Sequence, residues 1–594
     1  MTTNSAARIS DYALIGDTRT GALCSRAGSI DWMCIPYFDS EPVFGTLIDP
    51  EHGGRFTIAP VDVRESSRRY RDASAVLETT WRTSSGELRL TEGMVTDVSG
   101  RLLPQAILVR RIQCTGGTAS IRVHFDPRRG LPGKPPRTHM VAGALVTTWG
   151  SLAVTLQSSA GLGLATGREL SVDLAHGDDL TLVMTVADRG PAVLTPPSIA
   201  LELLESTDKW WREWAEDCRF QGRFRSDVIR SLITLRLLTF SPSGAPVAAL
   251  TTSLPEHLGG TRNWDYRYSW PRDASIGLGA FLALGKEDEA HSFMHWLLHA
   301  SRLSRPRLEV LYTLYGKNSG GETEIPEVSG YADSRPVRVG NAASTQHQLD
   351  VYGWVLDAAW LLARNGRKLH GETWRALSSF ADFTAENWAR PDAGIWEVRG
   401  QQTHYVHSKL MAWVALDRAL RIAKTRRVSS RRVRSWSNER AKLAADIREK
   451  GFDADQGSYR RSYDSGDLDA ALLILPILDF EDVASERVKG TVDTISRELS
   501  AGDGLLYRYL PETDGLLGRE GAFLPCSFWL VQALARLGRK DEAAGLFERL
   551  LGSANDVGLF AEEIDPGTGE LLGNFPQAFT HATLIQAALA LEDA

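Results

Sequence analysis

The residues best suited to chemistry are glutamates set in apolar company. Glu397 directly follows Trp396 in the stretch Asp392-Ala393-Gly394-Ile395-Trp396-Glu397-Val398-Arg399-Gly400. A carboxyl held against an aromatic surface loses hydration, which disfavours its ionised form and raises its pKa. A general acid working near neutral pH needs that property. A surface glutamate paired with Arg399 is the competing reading of the same residues. Further on, Gly558-Leu559-Phe560-Ala561-Glu562-Glu563-Ile564-Asp565-Pro566 sets two glutamates side by side. In extended chain they point to opposite sides. One can then face a cleft while the other meets solvent or a structural partner. An ordinary loop of surface carboxylates is the alternative.

A third stretch interleaves aromatic rings, arginines and carboxylates: Gly259-Gly260-Thr261-Arg262-Asn263-Trp264-Asp265-Tyr266-Arg267-Tyr268-Ser269-Trp270-Pro271-Arg272-Asp273. Sugars need this mixture, because their C–H faces stack on rings while their hydroxyls need paired donors and acceptors. The same run can also be a loop-to-helix junction, with Pro271 and Asp273 marking a helix start. One reaction that uses two carboxyls on separate loops is glycoside hydrolysis, in which one acid protonates the leaving oxygen and one base activates water.

The elements that must position these residues change character near residue 200. Before it, short β-branched runs such as Ala106-Ile107-Leu108-Val109 and Asp179-Leu180-Thr181-Leu182-Val183-Met184 alternate with turn residues. That pattern predicts an antiparallel β-sandwich over 1–197. A linker helix is expected over 198–223, where Leu201, Leu204, Trp210, Trp211 and Trp214 read as packing against both neighbours. From 224 to 594 the period is helical. Helical segments starting near Val228, Asp273, Glu287, Ala343, Glu372, Ser408, Arg431, Leu468, Val483, Ala522, Asp541 and Phe575 predict six helical hairpins, an (α/α)6 barrel with no strand pattern between its helices. No fixed-period repeat supports a solenoid instead. The long loops, 241–272, 304–342, 391–407, 500–521 and 555–575, are where function is expected.

Bulk properties exclude several classes. The chain has 594 residues, a formal net charge of −7 and a pI of about 6.1. That gives no basic surface for nucleic acid or an anionic membrane, and a neutral sugar needs no such steering. The five cysteines, Cys24, Cys34, Cys114, Cys218 and Cys526, are scattered and form no CxxC pair, which fits a reducing compartment. The N-terminus lacks the basic and apolar regions of a secretory signal, and no apolar window of membrane-spanning length occurs. A cytoplasmic location is expected. HExxH, EF-hand, Cys/His cluster, GxGxxG and P-loop patterns are all missing. His404 and His407 are three apart, a spacing that fits hydrogen-bonded structure better than a metal site.

At these motifs the chain resembles glycoside hydrolase family 15, the glucoamylase and bacterial trehalase family. The resemblance runs in order along nearly the whole chain: Tyr12-Ala13-Leu14-Ile15-Gly16-Asp17, Gly28-Ser29-Ile30-Asp31-Trp32, Trp270-Pro271-Arg272-Asp273, Ser334-Arg335-Pro336-Val337-Arg338-Val339-Gly340-Asn341-Ala342-Ala343, Ile395-Trp396-Glu397-Val398-Arg399-Gly400, Ala561-Glu562-Glu563 and Gly573-Asn574-Phe575-Pro576-Gln577-Ala578-Phe579-Thr580-His581. It implies a β-sandwich followed by a catalytic (α/α)6 barrel, and hydrolysis with inversion at the anomeric carbon. It implies Glu397 as general acid and Glu562 as general base, with Glu563 the competitor for the second role. Substrate contacts would come from Trp270, Arg272, Asp273, Arg335, Trp396 and Arg508.

The resulting expectation is an exo-acting α-glucoside hydrolase that releases β-glucose from non-reducing ends, with α,α-trehalose hydrolysis as the alternative. Two departures from the family pattern stand out, and the second favours a small substrate. Trp354 ends Asp350-Val351-Tyr352-Gly353-Trp354 where bacterial members carry glutamate. Asp333 stands where starch-cleaving fungal members have tryptophan. Hydrolysis requires no cofactor, although some bacterial trehalases of the family use magnesium and phosphate. A phosphorylase on a similar barrel and a non-catalytic sugar-binding protein are the competing classes, and both motif glutamates weigh against them.

Overall fold

Alternating β-branched residues make the first part of the chain a stack of antiparallel strands. The computed structural model describes residues 7–96, 105–510 and 518–593. Within them, Tyr12–Gly16 to Asp179–Asp188 form a fourteen-stranded antiparallel system. Its pivot is the 21-residue strand Ala106–Asp126. The first half pairs with Gly86–Met94 and Asp179–Asp188, the second with Arg55–Pro60 and Glu169–Ala175. The switch falls near Gly117, whose φ is +66° and whose Cβ, if present, would lie 2.0 Å from the Ser85 carbonyl oxygen. One strand therefore serves two sheets, and these face each other.

Polar groups lock the two sheets together. The Trp81 indole N–H donates to the Arg26 carbonyl at 3.2 Å. Arg110 donates to the carbonyls of Phe56 and Gly28 and, at 2.8 Å, to Glu92 Oε2. Both members of the Arg110–Glu92 pair are fully buried. Helix α1 (Pro197–Glu216) lays Ala200 and Leu204 on Val76, Val109 and Val183 of the sheet. At its other end, the Trp214 indole N–H donates to Glu289 of the helical part. Trp32 donates to the Leu250 carbonyl at 2.9 Å, a second tie across the boundary.

The helical part contains α2 (Arg225–Leu237), α3 (Pro271–Ala283), α4 (Glu287–Ala300), α5 (Asp350–Arg364), α6 (Gly371–Asn387), α7 (Val406–Thr425), α8 (Arg431–Lys450), α9 (Glu486–Glu498), α10 (Leu524–Arg536), α11 (Lys540–Leu551) and α12 (Ala578–Asp593), with a 3₁₀ helix at Ala470–Ile477. Helices α3, α5, α7, Ala470–Ile477, α10 and α12 contact one another in that order, and α12 returns to α3. They close an inner ring. Helix α10 is buried from Leu524 to Ala535, as all-round apolar composition requires. The outer helices α8, α9 and α11 bury one stripe each. The expected sandwich and helical barrel are both present.

Two details differ from the sequence reading. The segment from Ala343 is a short 3₁₀ turn, Ala342–Thr345, and the α-helix begins at Asp350; Asn341 caps the turn by accepting from the Ala343 N–H. The long loops also contain small antiparallel ladders, Thr252–Pro255 with Asn263–Asp265, Glu322–Glu324 with Arg338–Gly340, and Ala522–Phe523 with Glu563–Ile564 and Leu571–Leu572. Pieces of two to four residues are too short for a period to show. Part of the 500–521 loop, residues 511–517, lies outside the described residues. Among those described, no helix is long and apolar enough to cross a membrane, and all five cysteines are buried free thiols.

Removing one partner of a buried ion pair strands the other charge in a dry core, at a cost of about 3–5 kcal/mol. Arg110→Met is expected to lower unfolding stability by that amount in urea titration. Arg110→Met combined with Glu92→Leu is expected to recover most of the loss.

Candidate active site

The loops that enter the N-termini of the inner helices converge on one pocket. Tyr266 and Trp270 precede α3, Asn341 precedes α5, Trp396 and Glu397 precede α7, Arg508 and Phe523 precede α10, and Glu562 and Gln577 precede α12; all of them line it. These are the long loops. The connections into the outer helices are only a few residues, for example 284–286 before α4 and 537–539 before α11.

Each loop glutamate is held by an aromatic donor. The Tyr266 hydroxyl donates to Glu562 Oε1 at 2.9 Å, and the Trp270 indole N–H donates to Glu397 Oε1 at 2.7 Å. The two rings meet edge to face, 5.5 Å between centroids. This aromatic pair fixes the two carboxyls relative to each other. Glu562 Oε2 is buried with no hydrogen-bond partner among the described residues, leaving one oxygen for a ligand or water.

Glu397 sits at the end of a turn in which its own N–H donates to the Gly394 carbonyl at 3.2 Å. Its φ of +58° is left-handed, a conformation that costs a residue with a Cβ. The Gln346 side chain anchors the turn by donating to the carbonyls of Glu397 and Val398. Burial raises the Glu397 pKa, and the nearby Arg272 guanidinium, 3.5 Å from Oε1, opposes the rise. The pairing of Glu397 with Arg399 considered from sequence is not formed; Arg399 forks onto Glu322 at 3.0 and 2.6 Å.

Glu562 and Glu563 point to opposite sides, as extended chain dictates. Glu563 lies in the ladder opposite Phe523 and Leu572 and accepts from the Gly521 N–H at 2.7 Å. It is fully buried and does not line the pocket. Burial pushes the Glu562 pKa up to about 8; Glu256 adds to the rise, and Arg508 and the Tyr266 hydrogen bond work against it. Gly573 packs against Glu562 with φ +74°, and a Cβ there would come within 2.9 Å of Glu562 Oε2. Only glycine allows the glutamate its place.

The remaining candidate residues divide clearly. Pro271 opens α3, and Asp273 lies in its first turn. The junction reading of that run therefore holds, and Trp270, Arg272 and Asp273 also line the pocket. Arg272 donates to Asp273 Oδ1 at 2.7 Å and to the Ile395 carbonyl at 2.9 Å, bridging α3 to the Glu397 loop. Trp396 donates to Asp469 at 2.8 Å and packs edge-on against Phe523. Arg508 lines the pocket beside it. Arg335 is not brought in. It is exposed, reaches the Pro326 carbonyl, and lies outside the pocket lining. Three residues on, Arg338 turns inward over Trp264. His404 stacks on Tyr463 and His407 lies beside Trp354, so they face different neighbours.

Behind Glu562 lies a buried group that sequence reasoning missed. Glu256, Glu520 and Glu563 bring carboxylate oxygens within 4.8 Å of one another. Such a triad could in principle ligate a divalent cation. Here Arg508 donates to Glu520 Oε2 at 2.6 Å and to Glu256 Oε2 at 3.1 Å, and Arg262 donates to Glu520 Oε2 at 2.9 Å. Two guanidiniums already supply the positive charge and hold oxygens of Glu256 and Glu520, leaving only Glu563 Oε1 without a hydrogen-bond partner among the described residues, so the triad does not fit magnesium. Tyr266 was within reach of sequence, since it stands in the aromatic run. Glu256 and Glu520 carry no local signal, because their partners are distant in the chain.

Comparison with known proteins places this architecture. The model of Glycosyl hydrolases family 15 matches residues 222–589, and that of the trehalase-like N-terminal domain matches residues 1–176. The chain belongs to glycoside hydrolase family 15. Over its whole length it is similar to a trehalase of Mycobacterium tuberculosis, 37% identical over 98% of this chain and 89% of that one. It is also similar to a trehalase of Thermoplasma volcanium, 33% identical over 99% and 94%. In fold it matches a bacterial glucoamylase solved with acarbose, TM-score 0.69 at 14% identity, covering 99% of this chain and 94% of that one. This chain is thus a glycoside hydrolase, and a carbohydrate is its substrate.

The Tyr266 hydrogen bond favours the ionised form of Glu562. Its removal in Tyr266→Phe is expected to move the Glu562 titration midpoint upward from about 8. Infrared difference spectra of the carboxyl C=O band against pH would show the shift. An unmoved midpoint would mean the hydroxyl does not set this charge.

Proposed function

We propose that this family-15 enzyme is an α,α-trehalase, hydrolysing trehalose with inversion to release β-glucose and α-glucose. The observation that carries the reading is the pair of loop carboxyls, half-buried Glu397 and buried Glu562, held on one pocket by adjoining aromatic donors. Full-length similarity to trehalases turns the substrate from α-1,4-glucosides towards the α-1,1 disaccharide.

In this mechanism Glu397, with its raised pKa, gives its proton to the glycosidic oxygen. Glu562 uses Oε2, which has no hydrogen-bond partner among the described residues, to take a proton from the attacking water. Trp270 and Tyr266 aim the two carboxyls. Arg272 and Asp273 at the start of α3, with Trp396 and Arg508, hold hydroxyls and the face of the glucose being released. The reaction needs only water besides these groups.

Trehalose, maltose, isomaltose, nigerose and maltoheptaose tested side by side, with the anomer followed by proton NMR at early times, would decide. β-Glucose with α-glucose from trehalose, and little from the others, is expected. Dominant release from maltoheptaose would return the enzyme to the glucoamylase type. Glu397→Gln and Glu562→Gln are each expected to lower kcat about 10³-fold with the fold intact, from the usual contribution of acid–base catalysis. Full activity in Glu562→Gln, with loss in Glu563→Gln, would move the base role to Glu563.

The pH dependence follows from the directions of the shifts. Falling pH protonates Glu562, whose pKa is raised to about 8, and removes the base; rising pH ionises Glu397, also raised, and removes the acid. The kcat/KM profile is therefore expected to be a bell centred well above the range where free carboxylates titrate, with limbs that belong to the pair. A profile peaking near pH 4 would contradict it.

A further inference from the structure

We propose that Arg399, held by Glu322 over the ring of Trp264, recognises the leaving sugar at the mouth of the pocket. This rests on the reading of the pocket as an α-glucoside hydrolase site, and adds to it the residue that selects what lies beyond the scissile bond.

Exposure orders the pocket by depth. The side chains of Arg508 and Arg272 are 8% and 9% exposed, that of Glu397 is 20%, and that of Arg399 is 29%. Glu562 lies deep, at 3%. A general acid must stand beside the glycosidic oxygen, so the sugar leaving that oxygen lies outward of Glu397, where Arg399 and Trp264 form the lining.

Arg399 is built to stay there. Its Nη1 and Nη2 donate to the two oxygens of Glu322 at 3.0 and 2.6 Å. Its guanidinium carbon lies 4.1 Å from the centroid of Trp264, and Arg338 covers the same ring at 4.7 Å while also contacting Glu322. The Trp264 indole N–H is fixed on Glu256 at 2.9 Å. Glu322 itself accepts from the Ala342 N–H at 3.2 Å. The assembly joins the loops before α3, α5 and α7 and leaves no slack.

The fork to Glu322 uses two of the five guanidinium donors. The others make no protein hydrogen bond among the described residues. A planar cation with spare parallel N–H groups suits adjacent hydroxyls on a sugar ring.

The test compares substrates with and without a leaving sugar. For Arg399→Ala, kcat/KM on trehalose is expected to fall about 10- to 100-fold, the usual loss for hydrogen bonds to a charged group, mostly through KM. Hydrolysis of α-glucosyl fluoride, which releases fluoride and has no second sugar, is expected to stay within about threefold. The alkaline limb of the kcat profile is expected to move up only slightly, because Arg399 is a minor cation on Glu397 beside Arg272. Arg399→Lys and Glu322→Gln, milder changes, are expected to show smaller losses in the same parameter. A parallel fall on the fluoride, a loss on trehalose carried by kcat rather than KM with a large upward shift of the alkaline limb, or unchanged trehalose kinetics would each overturn the proposal; the second result would show Arg399 acting on Glu397 instead. Failure of the wild-type enzyme on trehalose with good activity on the fluoride would instead count against trehalose as substrate.

Discussion

The guanidinium of Arg508 is the contact on which the pocket depends. It lies in a dry volume between Glu520 and Glu256, with Glu563 3.9 Å away. Those residues come from three separate segments, and without a cation between them their carboxylates would repel one another across a few ångströms of low dielectric. With Arg508 and Arg262 present, the segments before α3, α10 and α12 are drawn to one point. Tyr266 and Trp270 are then fixed above the cluster and Glu562 in front of it. Burial chiefly keeps Glu562 hard to ionise, and the cluster acts on it both ways, Glu256 adding to the rise and Arg508 opposing it.

The ring of helices explains why the site has the loops it does. Inner helices are buried on every side, so their sequences are spent on packing. Their N-termini all face the pocket end, where unpaired N–H groups and the helix dipole favour nearby carboxylates. Long loops can collect there because each must cross from an outer helix to the middle of the ring. At the opposite end the turns only join neighbours, and they are short.

Much of this was legible in sequence. β-Branched runs before residue 188 and helical spacing after 224 each reflect a period that the chain repeats many times. The long loops were legible because turn residues and unusual aromatics concentrate there. The opposite facing of Glu562 and Glu563 followed from backbone geometry alone. Partnership was not legible. Nothing local marks Glu520 as the companion of Arg508, or Glu322 as the companion of Arg399 from 77 residues away. Arg335 was drawn in by its place in a recognisable motif, yet the inward direction belongs to Arg338, which the ladder Arg338–Gly340 turns towards Trp264.

The left-handed backbone of Glu397 sets two kinds of fitness against each other. Glycine adopts φ +58° freely, whereas a residue with a Cβ gives up about 1–2 kcal/mol there. A chain with glycine at 397 would hold its turn more comfortably and fold to a firmer barrel, with no proton to offer. Directed evolution that selects for heat tolerance alone would thus drift towards an inert protein at this position. Only a screen that also demands turnover would keep the glutamate.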